Sequence, residues 1–135
     1  MMPEVDINIW AVLVAAVVSM VVGSYWYSKS LFGKEWAKLV GRKLEEMGGG
    51  GKGYAVATAG ALLQAYILAH FVQYAGATTF WDGIVTGFWL WLGFVAVVVA
   101  MNLVFEGKSW VLWKINAGYF LVVLLINGGL LAAWR

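Results

Sequence analysis

The chain has no cysteine, a single histidine and few charges. Without cysteine there can be no disulfide framework, thiolate metal site, iron-sulfur cluster, CxxC redox pair or cysteine nucleophile. One histidine, His70, leaves no bis-histidine haem site and no multi-histidine zinc site within one chain. Charged residues make up 12% of the 135 positions and apolar residues 63%, whereas soluble domains run at roughly 25% and 45 to 50%. A water-soluble fold would expose apolar surface that the polar residues are too few to cover, so the composition is that of a membrane protein. A net charge of +2 is too small to imply nucleic-acid binding.

What is abundant is apolar length. Four runs, at about 7–27, 54–75, 83–105 and 110–134, are nearly free of charge. As helices they measure roughly 32 to 38 Å, enough for a hydrocarbon core of about 30 Å. They do not alternate as barrel strands would. The first run follows an acidic leader and no A-x-A site, so it is expected to be retained rather than cleaved. Lys29, Lys34, Lys38, Arg42, Lys43 and Lys52 lie between the first two runs, and none lies in 76–82. The positive-inside rule then places the first loop in the cytoplasm and both termini outside the cell membrane, with Arg135 the one dissenter. Trp10, Trp81 and Trp134 fall at the predicted outer boundary, and Trp26, Trp110 and Trp113 at the inner one.

Within the first loop, apolar Leu31, Phe32, Trp36, Leu39, Val40, Leu44 and Met47 recur at three- and four-residue spacing, with Lys34, Lys38, Arg42 and Glu45 on another face. This predicts an amphipathic helix over 30–47 in the cytoplasmic headgroup region, Phe32 and Trp36 dipping inward and Lys34, Lys38 and Arg42 meeting anionic lipid. Such a helix serves as an anchor or, alternatively, as a lipid sensor or docking element. The glycines of 48–53 lack the strand and Lys-Ser/Thr context of a phosphate loop and read as a hinge.

Inside lipid, helices associate through small residues. Ala11, Ala15, Ser19 and Gly23 form one ridge at four-residue spacing, and Ala57, Ala61, Ala65 and Ala69 a second. Gly83 and Gly87 add a shorter pair. The first two spans are therefore expected to pack closely, with each other or with a symmetry mate. The large Phe88, Trp89, Trp91 and Phe94 are then expected to face lipid or an intersubunit surface.

Lys114 is the one charge deep within a span, about a turn from its inner end, and it can snorkel. The missing intramembrane carboxylate counts against drug/proton antiport, and no acid is placed to complete a Ser-His-Asp arrangement. By depth, Ser24, Asn102 and Asn116 form an inner polar layer, Ser19 and Gln64 a central one, and His70, Asn127, Thr86 and Gln73 an outer one. Two candidate sites follow. The outer one comprises Tyr66, His70, Gln73 and Asn127; the inner one comprises Ser24, Trp26, Asn102, Glu106 and Asn116. The competing reading is interhelical hydrogen bonding worth only about 0.6 to 2 kcal/mol per group.

Several stretches carry a family likeness: Tyr25-Trp26-Tyr27, Leu31-Phe32-Gly33-Lys34-Glu35-Trp36, Ala69-His70-Phe71, Ala75-Gly76-Ala77-Thr78-Thr79, Asp82-Gly83, Gly87-Phe88, Leu90-Trp91-Leu92-Gly93-Phe94, Phe105-Glu106-Gly107 and Ile115-Asn116-Ala117-Gly118-Tyr119. With Asn102 they span nearly the whole chain, which resembles the small membrane proteins grouped as domain of unknown function 1761. Ser30 departs from the proline that such proteins often carry before Leu-Phe-Gly. The resemblance implies four spans and brings no activity or catalytic residue.

The expected fold is all-α, one transmembrane domain over 1–135 forming a four-helix bundle with an interfacial helix. The expected function is non-enzymatic: a homo-oligomer with a permeation or small-molecule binding site between helices. A structural subunit docking a larger membrane complex is the first alternative, and a binder of haem, quinone or lipid the second. No metal and no resident cofactor are expected, with haem and quinone left open as ligands. Lys43→Cys in this thiol-free background should be shielded from an impermeant maleimide in intact cells; rapid labelling there would refute the orientation.

Overall fold

A computed structural model describes residues 4–42 and 50–134 of the chain. Regular structure among these residues is entirely helical: α1 (Ile9–Trp26), α2 (Gly33–Val40), α3 (Gly50–Tyr74), α4 (Phe80–Trp91), a π-turn (Leu92–Ala96), α5 (Val97–Phe105) and α6 (Trp110–Ala133). α4, the π-turn and α5 run on as one apolar rod. Four helices are thus long and apolar enough to cross a membrane, Ile9–Trp26, Gly51–Tyr74, Phe80–Phe105 and Trp110–Ala133. The chain is a multi-pass membrane protein.

Short polar residues start these helices. Asn8 Oδ1 accepts from the N–H groups of Trp10 and Ala11 at 3.1 and 3.3 Å. Thr79 Oγ1 accepts from Asp82 N at 3.1 Å, and Ser109 Oγ from Val111 N at 3.1 Å. Glycine stops them. At Gly41, Gly76 and Gly107 φ is 76°, 71° and 70°, and the next residue's N–H returns to a carbonyl five residues back, as in Arg42 N to Ala37 O at 2.9 Å.

Gly41 corrects the expected length of the interfacial helix. The apolar spacing runs on past residue 40, but the left-handed glycine ends α2 after eight residues; Leu44, Glu45 and Met47 lie outside the described residues. At the other end Leu31 and Phe32 precede α2 in a turn whose Ser28 carbonyl accepts from Leu31 and Gly33. Part of the expected hinge is helical instead. Gly48 and Gly49 lie outside the described residues, while Gly50 to Gly53 form the first turn of α3. Hydrogen bonding of backbone beside the bilayer outweighs a helix cost of about 1 kcal/mol per glycine.

The ridges on α1 and α3 do meet: Ala11, Val12 and Ala15 join Ala65, Leu68, Ala69 and Val72 in one buried cluster. Ala57 stands off, exposed. A still more extensive interface joins α4 to α6. A Cβ on Gly83 would collide with the Gly128 carbonyl, one on Gly87 with the Leu124 carbonyl, and one on Gly128 with the Gly83 carbonyl. Half of α6 is buried inside the fold but only 17% of the third span, so α6 is the central helix and the third span is held along one edge.

That edge overturns one expectation. Phe88, Trp89 and Phe94 are exposed, but Trp91 is 9% exposed and belongs to the core. Substituting alanine at Gly83 or Gly128 should lower the thermal midpoint, with a loss of about 1 to 3 kcal/mol from overpacking. Gly93→Ala, where no atom lies within 4 Å of the new Cβ, should leave it unchanged; equal effects at all three would refute the close crossing.

Candidate functional site

At the α2 end of the bundle, α1, α3 and α6 diverge around a cavity of about 470 Å³. Ser19, Met20, Gly23, Ser24 and Tyr27 line it from the first span side, Trp36 from α2, Gly53, Tyr54 and Ala57 from α3, and Tyr119 from α6. None of these is charged. The depth from Tyr27 to Ser19 is eight residues of α1, about 12 Å, so the cavity reaches from the bundle end toward mid-membrane.

One wall is aromatic. The Tyr27 ring meets Trp36 edge-on at 5.7 Å and lies 5.7 Å from Tyr119. Both phenols have committed their protons: Tyr27 donates to Asn116 Oδ1 and Tyr119 to the Ser19 carbonyl, each at 2.9 Å. Their oxygens keep accepting capacity. Gly23 makes room for this, since a Cβ there would stand 3.2 Å from the Tyr119 hydroxyl. Ser24 behaves unlike the other mid-helix hydroxyls. Ser19, Thr58 and Thr86 each donate to the carbonyl four residues back, whereas the Ser24 hydroxyl has no hydrogen-bond partner among the described residues.

The inner end of the cavity is closed by a polar node. Asn127, 2% exposed, donates from Nδ2 to the Ala15 carbonyl at 3.1 Å and to Ser19 Oγ at 3.0 Å. Ala15 O only accepts, which fixes the orientation of the amide. Its Oδ1 is buried without a partner. Beyond this node Ala11, Val12, Val72, Leu131 and Ala132 are all buried, so the other half of the bundle is closed and the cavity is blind.

Three indoles tie the spans together. Trp26 Nε1 donates to Ile115 O at 2.9 Å, Trp91 Nε1 to Ala117 O at 2.8 Å and Trp113 Nε1 to Ala96 O at 2.9 Å. Trp26 and Trp113 are partly buried staples between helices as well as boundary residues. Sequence reasoning assigned Trp91 to the periphery; its position near the middle of Phe80–Phe105, too deep for a boundary belt, was the available signal.

The remaining candidates disperse. His70 Nδ1 lies 2.8 Å from the Tyr66 carbonyl of its own helix; the acceptor requires the Nδ1–H form. Its ring contacts Tyr66 at 4.7 Å and Tyr74 at 6.1 Å. Gln73 instead clamps the N-terminal segment, accepting from Asp6 N at 3.2 Å and donating to Asp6 O at 2.7 Å. Asn127 turns toward α1, so the outer group does not come together as one stripe. In the inner group Asn116 joins Tyr27 and Trp26 joins α6, while Asn102 and Glu106 are exposed. On α2, Lys34 and Lys38 are exposed, as is Arg42 just past its end; Phe32 packs on Trp26 at 4.9 Å.

The family model described as "Protein of unknown function (DUF1761)" matches residues 10–132. The chain belongs to this DUF1761 family. No curated protein and no solved structure matches it. The match runs from α1 almost to the end of α6, so the cavity, the polar node and all three indole staples of this DUF1761 chain fall inside it.

Asn127→Ala should reduce stability by about 1 to 2 kcal/mol, since it strips two donated bonds from a buried interior. The hydrogen bond and ring contacts of His70 all lie on its own helix, so His70→Ala should change stability by less than about 0.5 kcal/mol. Thermal unfolding in detergent compares them, and a larger loss at His70 would contradict this assignment.

Proposed function

We propose that this protein binds an uncharged amphiphile in the blind cavity at the α2 end of its bundle. The observation that carries the reading is a cavity of about 470 Å³, in the usual size range for small-molecule sites, lined by hydroxyls and aromatic rings and by no charge. A charged head buried there would lack a counterion and would be strongly disfavoured. A hydroxyl head fits instead: it can donate to the Tyr27 or the Tyr119 oxygen and accept from Ser24, with its tail against Met20 and Ala57. Closure of the bundle beyond Asn127 favours binding over permeation through a single chain.

Basic residues around α2, and their absence from the loop before α4, support a cytoplasmic cavity mouth with both termini outside. Lys34, Lys38 and Arg42 then face the headgroup region at that mouth, where anionic lipid would hold α2 in place.

Ala57→Cys provides a single thiol on the cavity wall, and Ala55→Cys an exposed control on the same helix outside it. Dioctanoylglycerol should slow maleimide modification at position 57 and leave position 55 unchanged, while dioctanoyl phosphatidylglycerol should protect neither. Adding Ser24→Ala should weaken protection roughly five- to tenfold, the effect of one lost hydrogen bond of about 1 to 1.4 kcal/mol. Absence of protection at 57 would refute the binding reading, and equal protection by the anionic lipid would refute the uncharged head.

A further inference from the structure

Near mid-membrane the polar side chains of the first and fourth spans, Ser19, Tyr119 and Asn127, have partners, but the one at the middle of the second does not. Gln64 lies near the centre of Gly51–Tyr74 and is only half-buried. Its carboxamide makes no hydrogen bond among the described residues. By contrast Ser19, Asn127 and Tyr119 close on one another and on carbonyls. An amide that can donate twice and accept cannot stay unpaired in hydrocarbon without a large desolvation cost. Nor can it escape, because the bilayer surface is about 15 Å from the midplane, beyond a glutamine's reach.

Gln64 opens into a groove of about 450 Å³ between α3 and the third span, floored by Leu124 of α6. Gln64 is its one polar lining residue. Leu63 and Ile67 on α3, and Phe94 of the π-turn, line the groove and remain 63%, 44% and 74% exposed. A lipid tail could fill such a groove but offers nothing to an amide. The occupant must bring a donor and an acceptor to the same depth. A second copy of this chain does so by symmetry: it crosses the membrane in the same register, so its own glutamine 64 arrives at the same level, and two carboxamides facing across a twofold axis each donate and accept. We infer that this groove is the interface of a homodimer whose twofold axis runs along the membrane normal and whose centre is a Gln64–Gln64 amide pair. This inference is independent of the proposed ligand cavity.

Because the chain contains no cysteine, single thiols report the interface directly in native membranes. Ile67→Cys, one turn from Gln64 on the groove side, should form a disulfide-linked dimer on mild oxidation. Leu62→Cys, on the opposite side of α3 and outside the groove, should not. In the Ile67→Cys background, Gln64→Leu should weaken association roughly tenfold by subunit-counting photobleaching across a range of protein-to-lipid ratios, and Gln64→Asn should restore part of it. Gln64→Leu places an apolar residue in an apolar groove, so at a dilution where both proteins are monomeric the thermal midpoint should be unchanged, which separates the loss from misfolding. A dimer fraction insensitive to Gln64→Leu, equal crosslinking from positions 62 and 67, or a cross-link from position 67 to a different polypeptide would each overturn the inference.

Discussion

Where α4 crosses α6, the backbones lie so close that neither Gly83 nor Gly128 has room for a Cβ. Lipid tails are as apolar as leucine, so burial does not push these helices together; the attraction is dispersion between surfaces in full contact, and it falls steeply with distance. Removing side chains at the crossing is what brings the surfaces into contact. Once α4 is fixed on α6, the rest of the third span follows as a single rod, although little of that rod is buried. The indoles of Trp91 and Trp113 then bridge it to α6 in opposite directions, one donating to α6 and one from it.

The same constraint explains why the two halves of the bundle differ. Where α1 and α3 present alanine to each other, at Ala11, Ala15, Ala65 and Ala69, they pack into a dry cluster against α6. Toward the α2 end the small residues no longer face one another. Gly23 accommodates the Tyr119 phenol instead of a neighbouring backbone, and Ala57 is exposed. Aromatic side chains and α2 occupy the periphery of the gap without filling it. The cavity therefore arises from a change of partner along two ridges that the sequence presents as uniform.

The spans and most of the two small-residue ridges were legible because hydropathy and four-residue spacing are properties of one helix at a time. Features that depend on pairs of helices were not. Gly128 looks like one of many membrane glycines until Gly83 is placed opposite it. Trp91 looks like a lipid-facing aromatic until Ala117 offers it a carbonyl. Counting along the helices puts His70 and Asn127 at one expected depth but says nothing of azimuth, and azimuth relative to neighbours cannot be read without knowing that α6 is central. At α2 the error was different in kind. The apolar spacing was read through Gly41, whose left-handed backbone ends the helix whatever the periodicity beyond it.

Ala57 and Gln64 are seven residues apart on α3, two turns or about 10 Å, and they share one face of the helix. The first lines the cavity against α1 and the second the groove against the third span. A helix without proline or kink between them moves as a rigid body. A shift that presses Ala57 toward the cavity must therefore reorient Gln64 in the groove. If both are occupied as proposed, ligand affinity and association are linked through the position of α3, and linkage requires the coupling to be equal in both directions. The contact between α3 and the third span is thin, so the groove is the side on which α3 can yield, while α1 and α6 hold its other face and the α4–α6 crossing provides the frame.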